Sequence, residues 1–238
     1  MSNPTRRQAL TAGAAGAVGA AAAIAPALAG TAFAESGSSE PNPLFSQENS
    51  MLVLIDYQPE MVNGVASMNK DLLQLNIKAL ARIARLLKIP TVLTTVGVKA
   101  GVNHPTIASL REEVPTLTEY DRMNMNAWED EPVRRAIRAT GRRNIVFAAL
   151  WTEICLAFPV VHAQRDGYRT MVVTDAVGGT SLAAHEAGIQ RVIQAGSIPN
   201  SFLGILGEWI RDWSDPRSDA GREVVPWYWA ELAKLDLG

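Results

Sequence analysis

One cysteine, Cys155, stands in a chain of 238 residues, so no intramolecular disulfide can form and core packing must hold the fold. Basic residues never gather into a cluster interleaved with aromatics; the charges are mixed in sign and sum to −2 at pH 7. That pattern argues against a nucleic-acid partner. Beyond residues 1–34 no apolar run is long enough to span a bilayer, so the mature protein is expected to be soluble and off the membrane. No glycine-rich turn follows the first strand-like run, where Asp56-Tyr57-Gln58-Pro59-Glu60 stands instead, and a dinucleotide-binding site is disfavoured. His104, His162 and His185 show no ligand spacing, so neither a metal nor another cofactor is expected. There is no internal repeat.

What the chain does have begins at its start. Arg6-Arg7 precedes an Ala/Gly-rich weakly apolar run, then Ala32-Phe33-Ala34 and the polar Glu35-Ser36-Gly37. This order matches a twin-arginine signal peptide over residues 1–34, implying the Tat export machinery as a partner and a periplasmic or secreted mature protein. Gly13, Gly16, Gly19 and Pro26 interrupt the run and count against a stable membrane span. Residues 35–48, rich in Ser, Pro, Gly and Asn, read as a flexible lead-in. Residues 49–238 then suit one domain with a sizeable core.

Continuous apolar or β-branched runs at 51–55, 91–96, 145–150 and 171–174 read as buried strands, with shorter ones near 117–120 and 197–201. Between them, Leu73, Ile77, Leu80, Ala84 and Leu87 recur at helical spacing. Charged 129–140 and apolar-faced 181–195 also read as helices, and a last helix carries Leu206, Trp209, Ile210 and Trp213. Strands alternating with helices predict a three-layer, doubly wound α/β domain of Rossmann-like form, with a mostly parallel sheet of about six strands; the order 3-2-1-4-5-6 is assumed from that fold class.

In that order strands one and four are neighbours, and ligands bind outside their carboxyl ends. Asp56 ends strand one and Cys155 follows strand four, so a carboxylate and the lone thiol meet at the switch point. Thr152 is a plausible N-cap, which would put Cys155 in a first helical turn where the helix dipole favours thiolate. The N–H groups of Ile154 and Cys155 would then serve as oxyanion donors. Pro159 removes the N–H that would bond the Cys155 carbonyl and predicts an irregular turn there. Asp175, ending strand five, is an alternative base, though a loop-bonding role suits it as well.

Leu54-Ile55-Asp56-Tyr57-Gln58, Arg122 with Met125-Asn126-Ala127-Trp128-Glu129-Asp130, Ala149-Leu150-Trp151-Thr152-Glu153-Ile154-Cys155-Leu156-Ala157-Phe158-Pro159 and Val172-Val173-Thr174-Asp175-Ala176 together resemble the isochorismatase-like cysteine hydrolases. The closer likeness is to their YcaC-like branch, over residues 45–215. The resemblance implies a catalytic triad of Asp56, Arg122 and Cys155, with Arg122 in place of the lysine of many relatives. It also implies a non-proline cis peptide at Leu150-Trp151. Gln58, Trp128 and Trp151 are candidates to line the pocket. Nicotinamidases of the wider family bind a metal through Asp-x-His near strand two, a pattern that Thr94 to Lys99 lacks.

The implied reaction is attack of the cysteine on an amide-type C–N bond of a small molecule. A non-catalytic binding module on the same fold is the rival, to be separated by the reactivity of Cys155. Pro226-Trp227-Tyr228-Trp229 and the stripe from Leu206 to Trp213 offer aromatic surface that a homo-oligomer would cover.

Overall fold

Ser50–Ile55 (β1), a run of buried apolar residues after Ser50, occupies the middle of a six-stranded sheet in a computed structural model that describes residues 42–237. The other strands are β2 (Thr91–Val96), β3 (Glu119–Arg122), β4 (Asn144–Ala149), β5 (Arg169–Val173) and β6 (Ile198–Asn200). Their order is β3-β2-β1-β4-β5-β6 and every pairing is parallel, as the alternation of strands and helices predicts. A parallel sheet must be covered on both faces. Here α2 (Lys70–Leu86), α7 (Phe202–Ile210) and α8 (Asp219–Leu232) pack together, and α4 (Glu131–Ala139), α5 (Ala157–Arg165) and α6 (Leu182–Gln194) form a second group. Two short helices, α1 (Pro59–Asn63) and α3 (Ala108–Arg111), sit in the connections.

Local chemistry explains the boundaries. Asn69 caps α2 by accepting from the N–H groups of Asp71 and Leu72 at 2.9 and 3.0 Å, and Asp130 and Ser181 cap α4 and α6 in the same way. Gly141 sits at φ 68° past the end of α4, where a left-handed residue closes a helix and glycine carries no Cβ penalty.

Three expectations need correcting. The third strand lies two residues later than 117–120, because Glu119 to Arg122 is the stretch that finds ladder partners along β2. The lead-in assigned to 35–48 is anchored where it is described: Phe45 is fully buried, and its N–H donates to Glu208 at 2.7 Å. The aromatic C-terminal region is mostly used within the chain. Leu206, Trp209, Ile210 and Tyr228 are buried, and Trp227 packs on the guanidinium of Arg82, leaving Trp213 and Trp229 exposed. The last helix is α8, which contains Pro226, and α7, expected to carry Trp213, ends at Ile210. The signal assigned to 1–34 lies outside the described residues. Among the described residues no helix is long and apolar enough to cross a membrane.

Candidate active site

The site is assembled from the carboxyl ends of four adjacent strands. Register pairs Ile55 with Thr94 and with Ala149, and Val96 with Arg122. Asp56, Arg122 and the segment after β4 therefore arrive at one edge. Asp56 has φ 61°, a left-handed conformation that aspartate tolerates better than most residues. Its N–H donates to Thr94 O at 3.0 Å and its carbonyl accepts from Gln58 N at 2.8 Å, which fixes the turn.

The carboxylate so placed is fully buried and receives both terminal nitrogens of Arg122, each at 2.8 Å. Arg122 Nη1 also donates to Thr95 O at 3.0 Å, and Thr94 Oγ1 to Asp56 at 3.4 Å. A bidentate arginine-carboxylate fork is the geometry that makes a buried ion pair tenable. Arg122 Nε is buried with no hydrogen-bond partner. Burial raises the Asp56 pKa above the ordinary carboxylate value despite Arg122. The arginine also lies under burial that would lower it, but Asp56 outweighs this and holds it above its usual value.

Cys155 is 4% exposed and lies within electrostatic reach of both members of that pair. Burial first, then the Asp56 charge, pushes its thiol from 9.0 to about 12, while Arg122 and the Trp151 N–H oppose the rise. Burial and the Asp56 charge thus favour the thiol, against the thiolate expected from a helix terminus. Thr152 is not a cap either; its hydroxyl lies 2.8 Å from His185 Nδ1.

The segment Thr152–Leu156 is one turn of π-helix, the irregularity that Pro159 foreshadows. The Trp151 carbonyl accepts from both Ile154 N and Leu156 N at 3.2 Å, so the Ile154 N–H is occupied and is not a ready oxyanion donor. The Trp151 N–H instead bonds toward the Cys155 thiol. The Leu150–Trp151 peptide is cis.

Above the sulfur lies a cavity of about 170 Å³. Trp151, Ile154 and Cys155 line it from the β4 side, and Met61 from α1. Val96, Gly97, Val102 and Asn103 close a second wall, and Met123 and Met125 a third. Of the three expected pocket residues only Trp151 is there; its indole N–H donates to Met61 O at 2.8 Å. Gln58 instead braces the loop after β2, donating to Val96 O and His104 O and accepting from Val96 N. Trp128 is core packing: its N–H donates to Asp166 at 2.8 Å and its ring stands edge-on to Tyr168. Met61, Met123 and Met125 carry no spacing that marks them as pocket residues in the sequence.

Asp175 accepts from Phe202 N at 2.8 Å and starts α7, a loop-bonding role. His104 pairs with Glu60, and His162 with Asn126. Among the described residues no three His, Cys, Asp or Glu side chains gather into a group able to hold a metal ion.

The family model for the isochorismatase domain matches residues 50–201. Probable hydrolase YcaC of Escherichia coli (strain K12) is 31% identical over 175 residues, covering 73% of this chain and 84% of that protein. The structure of YcaC from Pseudomonas aeruginosa with hexane-2,5-diol and covalent acrylamide matches at TM-score 0.73 and 29% identity, over 82% of this chain and 98% of that one. The Escherichia coli YcaC structure, an octameric hydrolase of unknown specificity, also gives TM-score 0.73 and 29% identity, over 82% and 97%. With the sheet order and the match spanning every strand, the chain belongs to the isochorismatase-like hydrolases, on their YcaC-like branch.

Proposed function

We propose that this protein is a cysteine-dependent hydrolase that cleaves an amide-type C–N bond of a small molecule. The observation that carries the reading is the buried Asp56–Arg122 fork beside the lone thiol at the base of a cavity. Its charge arithmetic suits the reaction. At rest the site holds one negative charge, on Asp56, against one positive charge, on Arg122. As the sulfur attacks the carbonyl carbon, its proton passes to Asp56 and the negative charge moves to the thiolate and then the carbonyl oxygen. Net charge in the buried site never changes, which avoids the large cost of creating an uncompensated charge there. The raised pKa of Asp56 makes it a better proton acceptor than an exposed aspartate.

The tetrahedral adduct then collapses, the C–N bond breaks, and the amine leaves with the proton from Asp56. A thioester remains on Cys155. Water, losing a proton to Asp56, adds to that thioester, and the acid and the free thiol are released. This scheme assigns the Trp151 N–H and the unpartnered Nε of Arg122 to the developing oxyanion as donors.

The covalent acrylamide held by the Pseudomonas relative supports a reactive nucleophile in the branch, since acrylamide is an electrophile. The test is acyl-enzyme trapping by intact mass spectrometry on a panel of small amides. Wild type should gain the acyl mass, Cys155→Ala should not, and a panel with no adduct and no product would favour a non-catalytic binding module. We further propose that the chain works as a homo-oligomer, as the octameric relative does; sedimentation of a monomer at micromolar concentration would refute this. Export through the twin-arginine route, argued from Arg6-Arg7, belongs to the same proposal.

A further inference from the structure

We infer that the Cys155 cavity selects small uncharged substrates with an apolar acyl group and rejects those carrying a carboxylate. This rests on the amide-hydrolase reading only for which bond is cut. The walls around the sulfur are Met61, Val96, Met123, Met125, Trp151 and Ile154, with Val102 at the edge. Val102 and Met123, at 65% and 61%, are the most exposed of the large apolar side chains among the described residues, and Met125 is 57% exposed. Three such side chains at a single mouth form an apolar collar, favourable only toward a ligand that removes it from water. Methionine is unbranched and polarisable, so the collar can follow acyl groups of differing shape.

Apart from Arg122 Nε, which is buried without a partner, the polar groups described around the cavity are engaged. Both terminal nitrogens of Arg122 are on Asp56, and the Gln58 amide is on the backbone of Val96 and His104. Glu60 is paired with His104 at 2.5 Å. Asp121 accepts from the N–H groups of Val98 and Lys99, and the Lys99 charge acts on it. Asn103 is the one amide side chain in the lining, and it donates to Val96 O at 2.9 Å. A second anion brought here would find the Arg122 charge already paired with Asp56 and would face that carboxylate, the arrangement in which burying a charge is most costly.

A matched reagent pair separates charge from size and needs no known substrate. Iodoacetamide and iodoacetate both transfer a two-carbon group to the sulfur as iodide leaves, and differ in a neutral amide against a carboxylate. Their rate ratio at Cys155 in the folded chain is to be compared with the ratio at the same cysteine in the urea-unfolded chain. The folded ratio should favour iodoacetamide by about tenfold or more beyond the unfolded one, and Met125→Arg should bring it back toward the unfolded value by supplying a cation at the mouth. Ratios within about twofold of each other, or a folded Cys155 that neither reagent reaches, would overturn the inference. Hexanamide against succinamate, scored by acyl-enzyme mass, then tests the hydrolase reading itself. Charge-selective alkylation with no acylation by either amide would leave the selectivity standing and remove the hydrolase. Equal acylation by both would do the reverse.

Discussion

Replacing Asp56 by asparagine should make Cys155 more acidic while abolishing turnover. In the intact site the thiol rises from 9.0 to about 12, through burial first and the Asp56 charge second. That leaves about a thousandfold less thiolate at neutral pH, or about 4 kcal/mol at 1.36 kcal/mol per tenfold. Two unit charges about 4 Å apart interact by about 4 kcal/mol at an effective dielectric of 20, so a neighbouring carboxylate can supply a large share of the rise. In Asp56→Asn the burial stays, the carboxylate charge goes, and Arg122 faces the sulfur unopposed. The thiol midpoint should therefore fall by one to two pH units, giving about 10- to 100-fold more thiolate at pH 8. The assay is the pH dependence of iodoacetamide alkylation, read by intact mass, with ultraviolet thiolate absorbance as a second measure. A midpoint equal to or above that of wild type would refute the electrostatic account. The same linkage bears on stability. The unfolded chain gives up the thiol proton near 9.0 while the folded chain holds it to about 12. The wild-type fold should thus lose stability as pH rises through that interval, by about 4 kcal/mol when complete, and the asparagine variant should lose less.

Arg122→Ala should remove nearly all turnover and, by leaving Asp56 buried without its partner, cost about 3–5 kcal/mol in urea unfolding. Arg122→Lys should keep partial activity with a shifted pH profile, since lysine retains the charge but not the fork; full activity in the alanine variant would remove Arg122 from the mechanism. Gly64→Ala puts a Cβ 2.5 Å from the Trp151 ring, so the indole must shift and carry the Cys155 turn with it. Turnover should fall at least about tenfold with the circular dichroism spectrum unchanged, and unaltered kinetics would show that the ring has room to yield. Arg6→Lys with Arg7→Lys should hold the protein in the cytoplasm, and a fractionation that finds it exported as before would rule out the twin-arginine route.

The parts of this molecule that were legible in the sequence are those in which one side-chain type repeats with a backbone period. The four long strands are unbroken apolar or β-branched runs, and the parallel order follows from their alternation with helices, so Asp56 and Cys155 could be assigned to one sheet edge before any coordinates. What stayed hidden depends on groups that carry no such period. The thiol's acidity is decided by burial and by a carboxylate 99 positions away in sequence, a balance that helix position alone reads with the wrong sign. Which N–H groups stay free beside the sulfur depends on how one π-helical turn uses the Trp151 carbonyl, which changes Ile154 from a free donor to an occupied one with no change in residue type. Gln58 and Trp128 were conspicuous for their chemistry, yet their polar atoms close backbone and core contacts. Met61, Met123 and Met125 were inconspicuous, yet they line the cavity. The asymmetry has a physical cause: buried polar groups must be bonded wherever they lie, so a polar residue beside a motif is often already engaged, whereas an apolar wall is free to face a ligand. Specificity in this fold is therefore to be sought in the apolar side chains that wall the cavity, whether or not a motif contains them.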